Sequence, residues 1–144
     1  MKSIAAIILS SVMLIGCAAT SPVRIGDARS IPSGNLFEGY TAYSQPSSGR
    51  CHVVIVRDSG AYGGAALVLV YVNGITVAKV NSREKLDLYL APGEYTFGVE
   101  PTPNLISPLN EYSQKVSFNE TYFYRISATP GVPAFVLQRS FAIQ

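Results

Sequence analysis

The chain reads as all-β: a small Ig-like or transthyretin-like antiparallel β-sandwich of about 7–9 strands, following a cleaved N-terminal signal helix. Three observations predict this. Between Ala65 and Val80 two β-branched runs flank Asn73-Gly74, the pair best suited to the positive φ angles of a type I′ hairpin turn. From Cys51 to Arg139, short apolar runs are broken at intervals by Gly, Pro, Asn and Asp. After Cys17 no stretch of helix length carries a 3.6-residue apolar stripe, and no internal repeat is present.

Composition narrows the class further. The 144 residues suit one domain rather than two with separate cores. Apolar residues make up 48% and charged residues 14%, enough to build a core and too apolar for wholesale disorder. The formal charge is only +2, and no basic stripe runs along any segment, which excludes nucleic-acid binding as the main task.

In chain order, Met1-Lys2-Ser3 gives a positive start and Ile4 to Ile15 an almost wholly apolar run. That run is about twelve residues, short of the roughly 20 a membrane-spanning helix needs, so residues 1–16 are expected to be a signal peptide. Leu14-Ile15-Gly16-Cys17 resembles the lipobox of bacterial lipoproteins. The resemblance implies diacylglycerol on the Cys17 thiol, cleavage before it and acylation of the new amino group. It also implies, from Ala18 in place of Asp, sorting to the outer membrane of a Gram-negative cell. Residues 17–35 lack any sustained period and are expected to form a flexible tether, with the sandwich occupying residues 36–144.

Within the domain, Leu36 to Tyr43 is predicted as a short edge strand on which Tyr40 and Tyr43 lean towards the sandwich. Cys51 to Arg57 is apolar on both parities and is expected to be central. The hairpin register pairs Val72 with Ile75 and Val70 with Val77. It puts Val68, Val70, Val72, Ile75 and Val77 on the core face, and Leu67, Leu69, Tyr71, Thr76, Ala78 and Val80 on the other. Lys85 to Leu90 is the cleanest period-2 strand, with Leu86, Leu88 and Leu90 inward. Pro92-Gly93 then turns the chain so that Tyr95, Phe97 and Val99 share a face. Pro101 to Asn110 is predicted as a loop, Tyr112 to Ile126 as a second hairpin turning at Asn119-Glu120, and Ala134 to Arg139 as the last strand.

Candidate sites are few. Asp58-Ser59-Gly60-Ala61-Tyr62-Gly63-Gly64 is glycine-rich but runs into a strand rather than a helix, so a flexible connection is expected instead of a phosphate loop. With Cys17 acylated, Cys51 is the only thiol left, and its parity with Val53 and Ile55 predicts burial. His52 is the only histidine; one His and one Cys fall short of a zinc site, and no metal or cofactor is expected. No Ser/His/Asp set or carboxylate pair is arranged for catalysis, so the chain is expected not to be an enzyme. The core and its rim account for most of the nine tyrosines; Tyr62, Tyr71 and Tyr89 are left over and offer an interaction surface.

Val70 to Val77, with Val-x-Val ahead of a glycine turn, and Leu88-Tyr89-Leu90-Ala91-Pro92-Gly93-Glu94-Tyr95 together resemble the PEGA-type domains. Arg57-Asp58-Ser59-Gly60 and Tyr122-Phe123-Tyr124-Arg125 resemble a related family of uncharacterised bacterial lipoproteins. What the resemblance implies is a compact β-sandwich with no catalytic residues. The expected function is that of a non-enzymatic envelope lipoprotein, membrane-bound through lipid on Cys17 and offering its sandwich to an envelope protein partner. The alternatives are a component of a secretion or surface machine, similar to the small lipoproteins of type VI secretion, and a peptidoglycan- or sugar-binding module using the three tyrosines.

Overall fold

Asn73 and Gly74 both take positive φ, 50° and 76°, as a type I′ turn requires, and they join β3 (Leu67–Val72) to β4 (Ile75–Val80). The computed structural model describes residues 20–60, 63–102, 108–129 and 135–141. The other strands are β1 (Arg29–Ser30), β2 (Cys51–Arg57), β5 (Glu84–Leu90), β6 (Gly93–Thr102), β7 (Asn110–Val116), β8 (Thr121–Ala128) and β9 (Phe135–Ser140). They form a five-stranded sheet, β1-β5-β2-β8-β9, and a four-stranded sheet, β4-β3-β6-β7. The all-β sandwich expected from the sequence is therefore the fold. The four-stranded sheet is antiparallel throughout, whereas the five-stranded one is mixed: β2 runs parallel to β8, and β1 parallel to β5.

The core lies between the sheets. Val53, Ile55, Leu88 and Tyr124 from one meet Val68, Val70, Phe97 and Val99 from the other, all at 0% exposure. Strand β2 is central, as its apolar parities predict, and its second face is covered too. Val54 and Val56 pack with Val23, Ala28, Ile25 and Phe123. This corrects the expected tether. From Ser21 onward the N-terminal segment is bridged to Ser59, adds β1 to the edge of β5 and buries Val23. The apolar outer face of β2 needed a cover, and Val23, Ile25 and Ala28 supply it.

Further expectations are corrected. Val70 pairs with Ala78 rather than Val77, because a bulge interrupts β4. Without it, strict alternation would turn Lys79 into the core; with it, Val77, Ala78 and Val80 are all buried and Lys79 stays outside. Ile75, at the tip of the hairpin, is 55% exposed. Residues 36–43 form no strand beyond a bridge at Leu36: Glu38–Tyr43 is a 3-10 segment along the edge of β4, where Gly39 is so close to Ile75 and the Thr76 carbonyl that a Cβ would clash. Tyr40 and Tyr43 do pack on the core from there.

The predicted second hairpin is absent, since β7 pairs with β6 and β8 with β2 and β9. Ser117 to Glu120 instead carries the chain from one sheet to the other, and the Ser117 N–H donates to the Tyr122 hydroxyl at 2.8 Å. Lastly, the strand β6 runs through Pro101 and Thr102, which had been expected to begin a loop. The crossing at Ser117 to Glu120 follows a hairpin-like turn signal, so turn chemistry alone does not distinguish a hairpin from a crossing.

Candidate functional surface

The N-terminal segment is locked to one end of the sandwich. Asp58, immediately after β2, accepts a hydrogen bond from the Val23 N–H at 3.1 Å and pairs with the Arg125 guanidinium, which also donates to the Val23 carbonyl at 3.3 Å. Burial pushes the Asp58 carboxyl up, and the Val23 N–H and Arg125 pull it back. The adjacent Arg57 is 2% exposed and donates to the carbonyls of Gly63, Ala66 and Val80 at 2.6–2.7 Å, with its guanidinium 5.3 Å from the Phe135 ring. Burial lowers its pKa to about 10, with Glu84 opposing. In the glycine-rich stretch after Asp58, the Gly63 carbonyl thus faces an arginine. An anion site would need its N–H groups to converge.

On the outer face of the five-stranded sheet, β2 and β5 place His52 diagonal to Asp87 and opposite Tyr89. His52 Nε2 lies 2.8 Å from Asp87 Oδ1, and its ring stacks on Tyr89 with centroids 4.8 Å apart. The hydrogen bond to His52 lowers the Asp87 pKa. Arg50 closes this patch by donating to the carbonyls of Ala42 and Tyr89 at 2.8 and 3.0 Å. Sequence reading placed Asp87 outward but missed its contact with His52, which only the β2–β5 register reveals. Cys51, next to His52, faces the other way and is 1% exposed, with Sγ 2.7 Å from the Ser117 carbonyl, so the two cannot act as a nucleophile–base pair. Among the described residues no three His, Cys, Asp or Glu side chains converge as metal ligands.

Of the predicted site residues, the two that are described, Tyr71 and Tyr89, do not come together. Cys17 and Tyr62 lie outside the described residues. Tyr71 and Tyr89 sit on the outer faces of opposite sheets, because each alternates with inward-facing residues of its own strand. Tyr71 donates to Glu100 at 2.8 Å and Tyr89 stacks on His52, so the two rings cannot form one stacking platform. Among the described residues the exposed large apolar side chains are Phe37, Ile75, Leu109, Phe118 and Phe141; of these Ile75, Phe118 and Phe141 lie on separate strand ends at the end of the sandwich opposite the Asp58 clasp. No helix of the described residues is long and apolar enough to cross a membrane.

No protein-family model matches the chain, and no curated protein matches it.

Proposed function

We propose that this chain is a non-enzymatic envelope lipoprotein, attached to a bilayer through acyl groups on Cys17 and presenting its β-sandwich to another envelope protein. The observation that carries the reading is Leu14-Ile15-Gly16-Cys17 at the end of a short apolar run behind a positive start. One acyl chain binds marginally, whereas the three implied by the lipobox resemblance give stable attachment. The two ends of the sandwich suit such a role: the N-terminal segment is clasped at one, and Ile75, Phe118 and Phe141 are exposed at the other. Ala18 after the cysteine favours the outer membrane, facing the periplasm. In the PEGA-like reading, Val-x-Val-Asn-Gly and Leu-x-Leu-Ala-Pro-Gly serve as core and turn, leaving interaction to the loops.

The test is cell fractionation of Cys17→Ala. Wild type is expected to stay in the membrane fraction through a high-salt wash, and the variant to appear in the soluble fraction. Full membrane retention of the variant would overturn the anchor.

A further inference from the structure

The clasp at Asp58 fixes which end of the domain lies nearest Cys17 in the chain. Ser21 lies four residues beyond Cys17 and exchanges backbone hydrogen bonds with Ser59, the Ser59 N–H donating to the Ser21 carbonyl at 3.0 Å. Four residues of fully extended chain span at most about 14 Å, less than the length of the sandwich. An acylated Cys17 would therefore keep this end close to the headgroups. The same end carries exposed cations. Arg24 follows Val23, Arg83 follows Ser82, and both Val23 and Ser82 hydrogen-bond to Asp58. Arg29 joins them through its N–H to the Arg83 carbonyl at 2.9 Å. Arg24, Arg29 and Arg83 are all exposed; Asp27 is the exposed acid among them, while Asp58 and Glu84 are buried. At the far end the exposed acids Glu94 and Glu120 offset Arg50 and Lys115.

We infer that the Arg24–Arg29–Arg83 end of the sandwich lies against an anionic lipid surface, so that the domain stands on the bilayer in one orientation with its opposite end outward. This rests on the lipoprotein reading. Each arginine near an anionic surface favours contact roughly fivefold, and three together roughly a hundredfold, with a range of about a Debye length.

The experiment uses the full mature protein extracted from membranes, with acylation of Cys17 first read from its intact mass. An unmodified Cys17 would overturn the anchor and this inference together. Spin labels are placed at exposed positions of the two ends, Asp27→Cys and Glu94→Cys, and the protein is reconstituted in vesicles of phosphatidylcholine with phosphatidylglycerol whose headgroups carry a gadolinium chelate. Relaxation at position 27 is expected to exceed that at position 94 roughly tenfold or more, because about 20 Å of strand separates the ends. The contrast should shrink in pure phosphatidylcholine, in the R24Q/R29Q/R83Q variant, and on raising salt from about 0.05 to 0.5 M, an arm that needs no arginine substitution. Equal relaxation at the two positions in acylated protein would overturn the orientation while leaving the anchor standing. A contrast unchanged by lipid charge, by the triple variant and by salt would overturn the role of the arginines.

Discussion

Single side chains carry two sharp consequences. Cys51 is 1% exposed and burial pushes its thiol pKa up, so little thiolate forms and a thiol reagent at neutral pH should label it slowly in the native state and quickly in denaturant. Rapid native labelling would place it at an exposed edge. Asp87 supplies a pH dependence whose sign is fixed. Its folded pKa is depressed by His52, so its contribution is fully present above the ordinary carboxylate pKa and is lost as pH falls through the depressed one. Because the two side chains are 35% and 30% exposed, the contribution is at most about 0.5–1 kcal/mol. The stability difference between wild type and Asp87→Asn, from urea unfolding, should be present at neutral pH and be lost as pH falls through the depressed carboxyl pKa. A difference that persists once the carboxyl is protonated would contradict the pairing. The burial of Cys51 was legible from its parity with Val53 and Ile55, but its Ser117 acceptor and the His52–Asp87 contact both depend on pairings distant in sequence.

At the level of elements, the Asn-Gly hairpin and the sheet crossing at Arg57 are the two connections most open to test. Gly74 sits at φ 76° with nothing within 4 Å of a prospective Cβ, so Gly74→Val suffers from backbone strain alone and should destabilise by more than about 1 kcal/mol in thermal unfolding. An unchanged melting temperature would mean that the turn is not type I′. Arg57→Leu should cost roughly 3 kcal/mol, because the carbonyls of Gly63, Ala66 and Val80 lose their donor, and Arg57→Lys should rescue it only partly, since one ammonium lacks the planar fork. Full rescue by lysine would show that charge alone matters there. Strand identities were largely readable from alternation, as in Leu86, Leu88 and Leu90. The bulge at Val77 was not, because a slip of one residue is invisible until the fate of Lys79 in the core is considered. The β7–β8 crossing was mistaken for a hairpin because Asn119, at φ 61°, is an equally good residue for either connection.

For the whole molecule, the sandwich has two unlike ends, one clasped to the N-terminal segment and rimmed by arginines, the other with balanced charges and the exposed side chains of Ile75, Phe118 and Phe141. That polarity could not be read in advance, because the segment up to Asn35 has no periodicity and only the exposed apolar face of β2 gives Val23, Ile25 and Ala28 a place to pack. The proposed role joins this polarity to an attachment at Cys17. The most direct test is the intact mass of the mature protein isolated from membranes, with fragmentation of its N-terminal peptide. A chain beginning at Cys17, with a diacylglycerol thioether and an acylated amino group, is the expected result. A mature chain beginning elsewhere, or one beginning at Cys17 with a free thiol, would contradict it.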